Sequence, residues 1–371
     1  MPEFQLRHDV MQPFCRQGDA ETFLMTWTGG VKMAKVDENR WRVLPVLHDG
    51  RPHVNGLYTQ GELVNQLQRL VYRFVAFQQI NWMKGAYFPH WAPAIPGERN
   101  FALSPSDLWG NVARHLGDAR MRPHREEFNT MPEEEFVALL DAAGEAERLA
   151  RLISLSLRNL DTSVEHVADF YHDELINQLA DGNADGRRSG TMRDVFLYGH
   201  VHAFFLHLGA VRDYFAAFVA DKLGMDCHKV DSMARLVDKI RAPHVEASPL
   251  LQIMKQLGYI VPEGDPSTKW RAAGWLETAS DLRNEFVHRR AYGQSTVEQM
   301  GCIRPCDALT GLYRYYRPIA LPSGEADLFD VVHQNYAAMI HLLHAAAKAA
   351  GHNAAIPELD RNGVASLKVI R

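Results

Sequence analysis

Trp275-Leu-Glu-Thr-Ala-Ser-Asp-Leu-Arg-Asn-Glu-Phe-Val-His288 repeats its apolar residues with the period of a helix. At ~100° per residue, Trp275, Ala279, Leu282 and Phe286 fall within about 60° of one another, a stripe that seats the helix on a core. Asn284 and His288 are four apart and stand one above the other. Their side is roughly opposite the stripe, with Arg283 on the flank between. A helix read from Trp270 to Arg290 therefore turns Asn284 and His288 toward solvent, a cleft or a partner chain. His288, Arg289 and Arg290 also sit where positive charge suits the end of a helix dipole.

The flanking sequence reads as helical too. A long helix spans Met192 to about Leu223 and closes at Gly224. A shorter one runs from Ser232 to Ile240, and another opens on Ser248 and Pro249 and ends at Gly258. Pro262 to Ser267 is a turn-rich break, and Asp327 to Ala350 is a terminal helix ending at Gly351. Upstream, Thr130-Met-Pro-Glu-Glu-Glu opens a helical stretch that continues with breaks to Leu160, and Thr162 to Leu179 follows. Gly182 to Gly190 is a loop by its turn residues. No strand signal stands out after residue 150.

The first hundred residues are mixed. Val31 to Val36 and Trp41 to Leu47 read as strands, with Asp49-Gly50 as a turn. Leu63, Leu67, Leu70, Val71, Phe74 and Phe77 recur every three or four residues and predict one helix from Gly61 to about Met83. Lys84 to Asn100, rich in proline, glycine and aromatics, reads as irregular. Ser104-Pro105-Ser106-Asp107 starts a further helix. The expected fold is mainly α: a mixed α+β region over 1–145, an all-helical domain over 146–355 and a tail over 356–371.

Bulk composition fits an ordinary globular chain. Of 371 residues, 46% are hydrophobic and 23% charged, with a formal net charge of −5. That balance argues against a protein that coats nucleic acid, while leaving room for a local basic patch. Cysteines at 15, 227, 302 and 306 are too few for a disulfide framework and are expected to be reduced. No apolar run approaches a membrane span, the first residues lack the blocks of a signal peptide, and a cytoplasmic location follows as the expectation.

Arg283-Asn284-Glu285-Phe286-Val287-His288 is an RNxxxH hexapeptide on a helix. It resembles the signature of the HEPN superfamily, in which four to six residues, commonly beginning with asparagine, stand between an arginine and a histidine. The order of helices over roughly 190–350 agrees. Arg158-Asn159 with His166 also occurs, but seven residues intervene, outside the family range. The resemblance implies metal-independent RNA cleavage without a cofactor, by an RNA 2′-hydroxyl attacking the adjacent phosphorus. His288 would move a proton near neutral pH, Arg283 would face the phosphate oxygens, and Asn284 would hold the imidazole or donate to phosphate. It also implies a homodimer with a site composed across the two-fold axis. A toxin or anti-phage role, with an antitoxin or regulatory partner, is the accompanying expectation, the N-terminal region sensing a signal, binding an inhibitor or covering the site. The alternative is a non-catalytic helical module for protein or nucleic-acid binding.

Supporting residues come from the neighbourhood. Asp213, on the preceding long helix, is a candidate to orient His288, and Glu285 to offset like charge where two copies meet. Arg289 and Arg290 extend the basic run. Gly311-Leu-Tyr-Arg-Tyr-Tyr-Arg-Pro318 interleaves Arg314, Tyr315 and Arg317, a pattern suited to stacking on unpaired bases, although a packed segment with cation–π contacts has the same composition. A rival reading takes His200, His202 and His207 with His341 and His344 as a metal site. His200 and His202 diverge by about 160° on a helix, and no HExxH occurs, so no metal is assigned.

Overall fold

The structure, a computed structural model, describes residues 5–6, 21–45, 47–48, 57–83, 86–96, 104–124, 127, 130–265, 267, 269–307 and 312–354. Cys15, the Asp49-Gly50 turn and the tail lie outside them. The described chain is mainly helical, with a five-stranded antiparallel sheet near its start.

Gln5–Leu6 (β1) pairs with Leu47–His48 (β5). Glu21–Trp27 (β2), Lys32–Lys35 (β3) and Trp41–Leu44 (β4) enter the main sheet, the latter two as expected. Gln60–Arg69 (α1) stops far short of Met83. Leu63 and Leu67 form its buried side, but Phe74–Met83 (β6) is a strand paired with β2 on one side and with Ala86–Pro93 (β7) on the other. The sheet order is β4-β3-β2-β6-β7. The spacing of Leu70, Val71, Phe74 and Phe77 matched a helix by coincidence. Tertiary pairing on both edges of this aromatic, β-branched segment outweighs that local period. The segment after Lys84 is likewise a strand, not irregular. Its Pro89 and Pro93 are tolerated because β7 is an edge.

Ser104 caps Pro105–Met121 (α2) in a capping box with Asp107, as its sequence predicts. Glu133–Asp141 (α3) leads to Glu145–Ala180 (α4), which runs 36 residues without the break expected near Leu160. The hydroxyls of Thr162 and Ser163 donate to the carbonyls of Arg158 and Asn159 at 3.0 and 2.8 Å, so both are satisfied within the helix. Asp194–Lys222 (α5) returns antiparallel to α4 after the expected loop. By length and composition α5 could cross a bilayer, contrary to the sequence reading, yet 61% of its most apolar window is buried inside the fold. Met233–Lys239 (α6), Ala242–Ala247 (α7) and Pro249–Gln256 (α8) follow.

Strands then reappear where none was expected. Ile260–Pro262 (β8) pairs with Trp270–Ala272 (β9), so the motif helix begins only at Trp275 (α9, Trp275–Asn284). Cys302–Asp307 (β10) pairs with Leu312–Tyr316 (β11), and Pro318–Leu321 (β12) with Gly324–Asp327 (β13), before Leu328–Ala349 (α10) closes the bundle. These strands are three to six residues long.

Sheet and bundle share one buried core that crosses position 145. The tight turn at Thr28–Gly30 makes the junction. A Cβ on Gly30 would stand 2.4 Å from the Tyr171 carbonyl of α4, and one on Gly29 2.7 Å from Arg314 Cβ of β11. The ring N–H of His172 donates to the Gly30 carbonyl at 2.7 Å, and Lys32 pairs with Asp169 at 2.7 Å.

Candidate active site

The motif helix does not continue straight. After Asn284 the chain forms one π-helical turn, Glu285–Arg289, closed by a 2.9 Å bond from the Arg290 N–H to the Glu285 carbonyl. On a straight α-helix Arg283 and His288, five apart, would diverge by ~140°. In an i→i+5 ladder they become neighbours. Arg283 Nη1 lies 2.6 Å from His288 Nε2, and 3.3 Å from Asn284 Oδ1. A guanidinium only donates, so Nε2 accepts and carries the lone pair, which puts the proton of the neutral ring on Nδ1. Asn284 and His288 are exposed and Arg283 is half-buried.

α5 is the platform. Phe286 stacks on Phe205 with centroids 4.8 Å apart and planes 17° apart. One turn further, the arginine stem crosses Gly209 so closely that a Cβ there would lie 3.0 Å from Arg283 Cγ and 2.9 Å from Nε. One turn beyond that, Arg212 donates to Ser280 Oγ at 2.5 Å. The four-and-three spacing of 205, 209 and 212 is one line of α5. Sequence reasoning missed Phe205, Gly209, Arg212 and Ser280. Gly209 is one of two glycines in this apolar helix, and it alone of the two marks a close approach, since a Cβ on Gly199 would meet nothing within 4 Å.

Beside this line opens a cleft of about 580 Å³ lined by Arg212, Lys269, Arg271, Arg283 and Asn284, together with Asp213, Asp238 and Glu263. Four bases against three acids give 4 − 3 = +1, in a chain whose overall balance is −5. Arg283 links the cleft to the exposed imidazole.

The supporting residues fall elsewhere. Asp213 does not hold His288. It accepts from Arg212 at 3.2 Å and from the Met233 N–H at the start of α6, also 3.2 Å. Glu285 turns to its own arginines, 3.0 Å from Arg290 and 3.8 Å from Arg289. Arg290 is structural: it grips the fully buried Glu298 at 2.8 Å, donates to the Ala320 carbonyl and lies 4.5 Å above the Phe286 ring. Arg317 is wholly buried, donating to Asp194, to the Glu298 carbonyl and to the hydroxyls of Tyr315 and Tyr198. Arg314 pairs with Asp330 at 2.7 Å and Asp327 at 3.6 Å, and Tyr315 is buried edge-on to Tyr171. The arginine–tyrosine segment is thus a core hairpin and offers Arg314, Tyr315 and Arg317 to no base. Arg289, with 77% of its side chain exposed, remains open to solvent.

The histidines of the rival reading do not gather. His200 stacks on His166 at 4.3 Å, and its pKa is lowered by burial and by that neighbour, while His344 is buried on α10. Comparison with family models, characterised proteins and solved structures finds no match.

Proposed function

We propose that this chain is a metal-independent endoribonuclease of HEPN type. The observation that carries the reading is the 2.6 Å Arg283–His288 pair, whose arginine lines a cleft together with Asn284. His288 Nε2 has the lone pair a general base needs, and Arg283 has donors to spare for phosphate. When a phosphate draws the guanidinium onto its oxygens, Nε2 is released to take the proton of the 2′-hydroxyl. The 2′-oxygen then bonds to phosphorus, the P–O5′ bond breaks, and the departing 5′-oxygen takes a proton. The products are a 2′,3′-cyclic phosphate and a 5′-hydroxyl. Arg283 stabilises the charge that gathers on the non-bridging oxygens.

A single chain brings Arg283 and His288 together, so the geometric need for two copies falls away. A homodimer is proposed on another ground. Val195, Phe196 and Leu206 are exposed on α5, about 70–170° round the helix from the line that carries the motif, and a second copy would cover them. The toxin or anti-phage role, and the antitoxin or regulatory partner, rest on the family resemblance alone.

The test is direct. Purified protein incubated with mixed RNA in excess EDTA should cleave it and leave cyclic phosphate ends, and His288→Ala should abolish cleavage without altering the circular dichroism spectrum. Intact RNA with the unaltered protein would point instead to a non-catalytic helical module.

A further inference from the structure

Three metal-competent side chains converge where α3 gives way to α4. Glu145 opens α4, and Cys227 and His228 stand in the turn after α5. One carboxylate oxygen, the Sγ and one ring nitrogen lie within 4.8 Å of one another, the only such group of three or more among the described residues. Two further groups bear on it. The Cys227 thiol is pushed up first by its burial, then by the Glu145 carboxylate to which it hydrogen-bonds, and by Asp221 in the last turn of α5. Arg148 competes from the exposed side, its Nε 3.0 Å from Glu145 Oε2.

We propose that Glu145, Cys227 and His228 bind one zinc-type divalent cation, with water in the fourth position. Sulfur, imidazole nitrogen and a carboxylate oxygen are the donors that select zinc over magnesium or calcium. Bonds of ~2.0–2.3 Å put tetrahedral donors ~3.5 Å apart, so the group must contract by about an ångström. The exposed His228 and the partly exposed Glu145 can move by that much through side-chain rotation. The ion displaces the thiol proton to solvent and is then held by two negative ligands and one neutral imidazole. It would clip the Gly144–Glu145 junction to the end of α5. Twelve residues of α5, ~18 Å of helix, separate Asp221 from Gly209, so the ion acts on stability and takes no part at the Arg283–His288 pair.

Titration of the metal-free full chain with Co(II) tests this. One equivalent should bind, with a near-ultraviolet thiolate-to-cobalt band that Zn(II) displaces. Cys227→Ser should abolish the band. His228→Ala and Glu145→Gln should each weaken binding at least as much as loss of an outer-sphere partner does, roughly 10- to 100-fold. Arg148→Ala, by freeing Glu145, should tighten it. His228 and Arg148 are exposed, so these two variants keep the fold even if Cys227→Ser does not. No uptake by the unaltered chain, a band that survives Cys227→Ser, or His228→Ala binding as tightly as the original overturns the proposal.

Discussion

Arg283 reaches His288 because Gly209 has no side chain. An alanine at 209 would place its Cβ 2.9 Å from Arg283 Nε, closer than real contacts come, and the arginine would have to leave its track. Glycine inside a helix costs about 1 kcal/mol relative to alanine. Gly209→Ala should therefore leave α5 at least as stable while pulling the guanidinium off the imidazole. We expect RNA cleavage to fall ~10²-fold or more, the usual consequence of losing one charge-stabilising donor, with no drop in melting temperature. Arg283→Lys should not restore activity, since a lysine offers a point charge in place of a planar fork. Gly209→Ala cleaving at the original rate would show that the arginine's position is immaterial.

At the scale of elements, the sequence showed the long helices and their caps because each carries its own signal, such as Ser104 with Asp107 or Gly224 after α5. It concealed short strands whose partners supply their stability. Cys302 and Arg314 say little until β10 and β11 pair. The π turn was also hidden: Asn284 to Arg290 contains neither proline nor glycine, and its cause lies in Arg290, which is drawn off the helix toward Glu298 and the Ala320 carbonyl. The motif residues were legible as types at a spacing, whereas their contact depends on this anchor. Removing Arg290 would leave Glu298, with none of its surface exposed, as an uncompensated buried charge. Arg290→Ala should cost ~3–5 kcal/mol in urea unfolding. Arg289→Ala, at an exposed site, should stay within about 0.5 kcal/mol of the original and instead weaken RNA binding with a shallower salt dependence. The opposite pattern would return Arg290 to the RNA-binding surface.

Across the whole molecule, two proposals become measurable. If α5 meets a second copy, light scattering at micromolar concentration should report a dimer that Phe196→Glu dissociates, and a monomeric native chain would refute it. The second concerns the core that joins sheet and bundle. Asp161 of α4 is buried between Tyr336 of α10, whose hydroxyl donates at 2.5 Å and itself accepts from Trp91 of β7 at 2.9 Å, and the Ser104 hydroxyl that caps α2. Burial raises its pKa from the ordinary carboxylate range to about 7, against the pull of those two hydroxyls. The folded chain therefore keeps a proton that the unfolded chain gives up near pH 4. This stabilisation is complete below that pH and is lost as pH rises through about 7. His172 works in the opposite sense. Burial lowers its pKa to about 4, so its contribution is present above the ordinary histidine range and is lost as pH falls from there toward 4. The two overlap between pH 4 and 6.5, and only a variant separates them. Asp161→Asn keeps an acceptor facing Tyr336 and cannot ionise. Urea unfolding at pH 4.5 and pH 8 should show the native chain losing more stability on going to pH 8 than the variant does, by up to about 3 kcal/mol at ~1.4 kcal/mol per pKa unit. Parallel pH dependence in the two proteins would mean that Asp161 is already ionised in the fold at pH 4.5, held by Tyr336 and Ser104 strongly enough to overcome its burial.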